Sequence, residues 1–230
     1  MTPPAPTTPA SLAARAAGIG AQISEEQAAR MLAYLDRVLE INQSLNLTAV
    51  RDREDAVVRH LLDALSLVPL WREVTKSDQP RRFLDLGTGG GFPGAVLAVA
   101  WPASKALLVD STGKKVRAVI DALAAAGITN AEPTQCRGEQ MPTLRPQSLG
   151  KFDLGVARAV APADVLVREI TPFLGPRGVI FAMKGPEPPA DEVRAGEGEA
   201  RRQHLEVLPA RHTAVPGLEA RTVLVYRRTR

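Results

Sequence analysis

RFLDLGTGGGFPG, residues 82–94, joins a short apolar run to a cluster of glycines. RFLDL predicts a strand, the glycines a tight turn, and AVLAVA (95–100) the helix that follows. Working outward, the same alternation repeats. KALLVD (105–110) reads as a strand, then a helix runs from Ser111 to about Ala126 with Gly127 as its stop. AEPTQ (131–135) and FDLGVA (152–157) are strands, VLVREI (165–170) a helix and GVIFAM (178–183) a buried strand. HLEVLP (204–209) and TVLVYR (222–227) pair as a hairpin. Alternation of this kind gives an α/β fold: a doubly wound, Rossmann-like, mostly parallel sheet of seven strands with helices on both faces.

Ahead of the sheet lies a different pattern. Residues 1–20, rich in Pro, Thr and Ala, predict a disordered tail. Residues 21–78 predict a helical cap, and 79–230 the sheet domain. In the cap, Ser24 and Gln27 form a capping box, and Met31, Leu32, Leu35, Val38 and Leu39 recur at helical spacing. Asp52 caps a second helix, with Pro69 near its end. PEPPADEVRAGEGEA (186–200) predicts a surface loop with a short helix.

Composition bounds the function. The 230 residues are 45% apolar and 23% charged, enough for one sizeable core. The net charge of +4 and pI of 9.6 favour polyanionic partners without requiring one. The single cysteine, Cys136, allows no internal disulfide and fits a reducing compartment. His60, His204 and His212 are scattered, so no metal site is expected. No run approaches the roughly 18 apolar residues of a membrane span, and the N-terminus lacks the features of a signal peptide. A cytoplasmic monomer is expected.

The glycine cluster contains two overlapping patterns. Gly89, Gly91 and Gly94 spell the dinucleotide fingerprint GxGxxG, whereas Asp85, Gly87, Gly89 and Gly91 spell the DxGxGxG of S-adenosylmethionine (SAM) methyltransferases. A third reading is a turn that binds nothing, against which stands the entropic cost of four glycines within five positions. Gly89 lies three residues beyond the strand, too late for the dinucleotide turn, and Pro93 occupies the stretch that should open the pyrophosphate helix. Asp85 would suit a cationic amino group better than a pyrophosphate. Both ligand patterns want an acidic residue about 20 positions on for a ribose diol, and Asp110 fits either.

Absences narrow the methyl acceptor. An exocyclic amine calls for an Asn/Asp-Pro-Pro-aromatic turn after the fourth strand, where this chain has VARAVAP (156–162). A pyrimidine carbon calls for a cysteine nucleophile, and Cys136 follows the third strand instead. Acceptors already nucleophilic at neutral pH remain, among them N7 of guanine, which needs positioning rather than a general base. Arg158 and Lys184, each ending a strand at the ligand-binding edge, are candidates for that positioning. Lys114, Lys115 and Arg117 begin a helix whose dipole the lysines oppose, at about 0.3–1 kcal/mol each when exposed. They either meet a phosphate or form a solvated face. Arg51, Arg59 and His60 extend the basic rim, although His60 reads equally as a packed histidine.

NLTAVRD (46–52), RH (59–60), FLDLGTGGGFPG (83–94), LLVDSTGKKVR (107–117), RGEQ (137–140), ARAVAP (157–162) and MKG (183–185) resemble, in order, the bacterial small-subunit rRNA guanine-N(7) methyltransferases of the RsmG or GidB family. The resemblance covers about Asn46 to Gly185. It implies a SAM-dependent methyltransferase fold with a helical cap, and methylation of guanosine 527, in the usual rRNA count, in the 530 loop of 16S rRNA. It implies cofactor contacts at Gly87, Phe92, Gly138, Glu139 and Arg158, the adenine edge being held by Gly138 and Glu139. Phe92 stands where many relatives have Leu, Gly138 where Ala or Val is common, and Ala64 where Ser is common. With Asp110 on the ribose and Gly87, Gly89 and Gly91 beside the methionine end, the basic rim would hold rRNA phosphates. The rival readings are a SAM methyltransferase of a small molecule or protein, a non-catalytic nucleotide-binding assembly or regulatory protein, and an NAD oxidoreductase.

Overall fold

The computed structural model describes residues 6–229. Its strands are β1 (Arg82–Leu86), β2 (Lys105–Asp110), β3 (Ala131–Gln135), β4 (Phe152–Arg158), β5 (Leu174–Lys184), β6 (Leu205–Thr213) and β7 (Arg221–Arg228). They form one sheet in the order β3-β2-β1-β4-β5-β7-β6. All neighbours are parallel except β7, which runs antiparallel to both β5 and β6. The chain starts at the centre, winds outward to β3, then returns to β4 on the other side of β1. The strand order therefore reverses between β1 and β4, and the crevice outside their carboxyl ends is where such sheets bind ligands. Pro133 is tolerated within β3 because that strand lies at the sheet edge.

Apolar residues on alternate positions divide between two cores. Phe83, Leu108, Leu154 and Val156 face one side, and Leu84, Leu86, Leu107 and Val109 the other. The first core is covered by α1 (Pro9–Gly18), α2 (Glu25–Ile41), α5 (Leu67–Thr75), α6 (Gly94–Ala100) and α7 (Gly113–Ala125). Between α2 and α5, α3 (Arg53–Ala56), a π-helical turn (Val57–Leu62) and α4 (Asp63–Leu65) follow one another directly. On the second face α9 (Ala163–Ile170) and α10 (Ala190–Arg202) pack together, and the short α8 (Met141–Leu144) follows the loop after β3. The cap helices and the sheet thus share one continuous core.

Two expectations require correction. Residues 9–18 form a helix rather than part of a disordered tail: Thr8 and Ser11 make a reciprocal capping box, and Leu12 and Ala16 are fully buried. The main-chain N–H of Thr7 also donates to Glu54 at 2.9 Å. The first five residues of the expected tail lie outside the described residues. Pro69 lies just past Leu65, where the helix capped by Asp52 ends, and within the first turn of α5, where its missing N–H costs nothing. Lastly, the helix expected to be short within the surface loop of 186–200 is α10, 13 residues long, with Asp191 and Glu192 in its first turn and Arg201 and Arg202 in its last, as the helix dipole favours.

Leu12→Ala should lower stability by about 2–4 kcal/mol in urea unfolding, since it empties a filled position of the core. An unchanged midpoint would contradict the packing of α1.

Candidate active site

The glycine loop is fastened from within. Asp85, fully buried, accepts hydrogen bonds at Oδ2 from the Thr88 hydroxyl (2.6 Å) and the Gly94 N–H (2.8 Å). Its Oδ1 is buried with no partner. Burial pushes its carboxyl up to about 6, opposed by those two hydrogen bonds. Asp85 therefore does not face a ligand's amino group, as its place at the strand end suggested; it closes the loop. The N–H groups of Gly87 and Thr88 both donate to the Val109 carbonyl, at 2.8 and 2.9 Å.

Three glycines adopt positive φ for different reasons. Gly87 (φ +74°) lies under Val160, whose nearest carbon would be 2.4 Å from an added Cβ. At Gly91 (φ +86°) a Cβ would fall 1.8 Å from the Tyr34 hydroxyl, which donates to the Gly90 carbonyl at 2.9 Å. Gly91 thus serves the contact with α2 and does not line the cleft. Gly89 (φ +57°) has open space in front of it. Its N–H donates to Asp110 Oδ2 (3.0 Å), and the Thr112 N–H donates to Oδ1 (2.8 Å). Each Asp110 oxygen keeps a lone pair for a further donor.

Three cavities adjoin along the carboxyl edge of the sheet. One, of about 430 Å³, is bordered by Gly87, Gly89, Phe92, Asp110, Lys115 and Arg158. The second, of about 370 Å³, is bordered by Asp110, Gly138, Glu139 and Glu169, and shares Gly87, Asp110, Ser111 and Val160 with the first. The third, of about 610 Å³, is bordered by Thr48, Arg59, His60, Arg158, Lys184 and Arg221. A further cavity, of about 390 Å³, lies at the opposite edge of the sheet among Arg82, Lys105 and Arg145, away from every expected site residue.

A buried ion network joins the cap to the sheet. Asp63, fully buried, accepts from Arg158 Nη1 at 2.9 Å and pairs with Arg221 Nε at 3.4 Å. Arg158 also donates to the Arg59 carbonyl (2.8 Å) and reaches His60 Nδ1 (3.2 Å). Arginine only donates, so Nδ1 is the acceptor and His60 carries its proton on Nε2, which donates to Thr48 Oγ1 at 2.8 Å. The ring stacks on Phe92 with centroids 4.5 Å apart. Burial, with the Arg158 charge second, lowers His60 to about 4.

These contacts revise the basic rim. His60 is an uncharged packed histidine at neutral pH, so it offers no cation to a phosphate. The Lys184 side chain is only 8% exposed, paired with Glu192 at 2.7 Å and donating to the Ala161 carbonyl at 2.7 Å. Arg59 pairs with Asp55 at 2.6 Å. Arg51, Lys114 and Arg117 are exposed and Lys115 borders the first cavity; none makes a salt bridge among the described residues. Sequence reasoning missed Asp63, Thr48, Tyr34 and Arg221. Thr48 stood within the NLTAVRD block, but nothing in the local pattern separates a buried helical Asp such as Asp63 from an exposed one.

His60 should show no protonation shift by NMR between about pH 5.5 and 8. Because its folded pKa is depressed, the stability it contributes, on the order of 3 kcal/mol, is fully present above 6.5 and lost as pH falls through about 4. A titration midpoint near 6.5 in the folded protein would contradict the network.

The GidB family model, described as rRNA small subunit methyltransferase G, matches residues 27–222. The ribosomal RNA small subunit methyltransferase G of Leptothrix cholodnii is 36% identical over 219 residues, covering 95% of this chain and 94% of its own. That of Acinetobacter baumannii is 37% identical over 168 residues, 73% of this chain and 75% of its own. Among solved structures, a SAM-dependent methyltransferase from Aquifex aeolicus superposes with a TM-score of 0.57 at 12% identity, covering 84% of this chain and 97% of that one. Fibrillarin from Aeropyrum pernix, with natively bound SAM, gives 0.53 at 16% identity over 64% and 66%. Identities this low speak for the fold alone, which is that of the SAM-dependent methyltransferases. The match over most of the chain speaks for more: the chain belongs to the GidB family, rRNA small subunit methyltransferase G.

Proposed function

We propose that this protein transfers the methyl group of SAM to N7 of a guanine in the 530 loop of 16S rRNA, the base counted as guanosine 527. Family membership gives the reaction class, methylation of small-subunit rRNA. The observation that carries the finer reading is the continuity of the three cavities, which meet first at Asp110 and then at Arg158. Their sizes fall within the range of ligand sites, and their order suits a long cofactor followed by an acceptor base.

The residues present fit SAM. The free lone pairs of Asp110 suit the two ribose hydroxyls. Gly89, with open space before it, lets the loop main chain border the methionine end. Gly138 and Glu139 border the adenine end. When bound, SAM supplies an electrophilic methyl group. Guanine N7 offers a lone pair and carries no proton, so the chain has to position the acceptor and exclude alternatives rather than remove a proton. The third cavity agrees with that demand. His60 has its only basic nitrogen occupied by Arg158, and Lys184 is held by Glu192. Arg158, shared by the first and third cavities, is the residue best placed to position both partners. The acceptor base has to be unstacked to enter, and phosphates flanking it would meet Lys114, Lys115, Arg117 and Arg51 on the rim. The protein is expected to act as a monomer in the cytoplasm; no described helix is long and apolar enough to cross a membrane.

Asp110→Ala should weaken SAM binding about ten- to a hundredfold in calorimetry and reduce methyl transfer to small-subunit particles at sub-saturating SAM. Unchanged SAM affinity would remove Asp110 from the ribose.

A further inference from the structure

Glu169 has no role in the site described so far. It lies on α9, across the 370 Å³ cavity from the loop after β3. Its carboxylate occupies the place where a side chain at position 138 would begin: a Cβ added to Gly138 would lie 2.0 Å from Oε2 and 2.6 Å from Cδ. Glycine at 138 is what lets this carboxylate reach the main chain of the loop. Glu169 makes no side-chain hydrogen bond or salt bridge among the described residues. Partial burial, with the charge of Glu139 second, holds its carboxyl above the ordinary range, and Arg168 opposes them. A partly desolvated carboxylate without a donor is costly unless a ligand supplies one.

The rest of the cavity indicates what that ligand is. Leu86, Val109, Val160 and Val165 give it apolar walls suited to a flat ring. Asp110, Glu139 and Glu169 are three carboxylates against one lining cation, Arg137. Such a cavity repels phosphate and selects a ring whose edge carries hydrogen-bond donors. An amino-substituted purine has that edge.

Resting on the SAM reading above, we infer that Glu169 is the residue that reads the exocyclic amine of the cofactor's adenine ring, with Gly138 making room for it. The main chain of the loop would hold the ring, and Glu169 would distinguish an amine from a carbonyl at the same position. A carbonyl oxygen there would face the carboxylate with no proton between them.

The test uses the full-length protein and calorimetry with two probes, S-adenosylhomocysteine and its deaminated analogue S-inosylhomocysteine. The wild type should bind the adenosyl compound at least about tenfold more tightly. Glu169→Ala should lower affinity for the adenosyl compound about tenfold, change affinity for the inosyl compound far less, and so reduce the ratio. Gly138→Ala, whose methyl displaces the carboxylate, should shift the ratio in the same direction. Glu169→Gln keeps the shape, and its amide N–H can donate to the inosyl carbonyl, so it should narrow the ratio even if the alanine variant folds poorly. An undiminished ratio in Glu169→Gln and Gly138→Ala, with tight adenosyl binding throughout, would overturn this assignment alone. Failure of the wild type to bind the adenosyl compound would overturn the SAM reading and this assignment with it.

Discussion

Asp85 ends β1 shut away from solvent, and the structure around the cleft depends on how its carboxylate is held. One oxygen takes the hydroxyl of Thr88 near the start of the glycine loop and the N–H of Gly94 at its end. That single atom sets where the loop leaves the sheet and where α6 begins. The loop then presents the Gly89 N–H to Asp110 at the end of the neighbouring strand, so β1 and β2 are tied at their carboxyl ends as well as by their ladder. A buried charge is expensive, and here it is offset by donors fixed in the loop itself. Tyr34 seals the outer side of the same turn, which is why the third glycine is needed for packing rather than for a ligand.

A second buried carboxylate performs the matching task for the cap. Asp63 belongs to the helices ahead of the sheet, but its partners, Arg158 and Arg221, come from β4 and β7. Removing one partner of such a pair leaves an uncompensated charge, so the arrangement locks the cap against the sheet edge. It also fixes Arg158 where the cavities meet and, through Arg158, fixes the tautomer of His60. The chain thus uses its charges to build a rigid frame, in which His60 gives its one basic nitrogen to Arg158 and Lys184 pairs with Glu192. That engagement suits the unprotonated ring nitrogen proposed as the acceptor.

Much of this was legible in the sequence because its signals are local. The seven strands, the capping box of Ser24 and Gln27, the cap at Asp52 and the stop at Gly127 each depend on residues a few positions apart. The errors share one cause: partners distant in sequence. Residues 9–18 resembled a tail because alanine dominates them and a proline- and threonine-rich stretch precedes them, yet Leu12 and Ala16 find a core made by later helices. Lys184 looked free because its partner Glu192 sits in a segment read as a surface loop with only a short helix, and Asp85 looked ligand-facing because its partner Gly94 lies beyond the turn. His60 could be read either way until Thr48, Phe92 and Arg158 were seen around it. Glu169 left no sequence signal, since its meaning depends on the missing side chain at Gly138.

We propose that a frame built for positioning delivers one methyl group to one ring nitrogen of the small-subunit RNA. The most direct test is methyl transfer from labelled SAM to small-subunit particles that lack this modification, followed by borohydride reduction and aniline cleavage, which cuts RNA at N(7)-methylguanosine. A single cut, in the 530 loop, is expected. Label incorporated at another base, or at an atom that leaves the chain uncut by aniline, would contradict it.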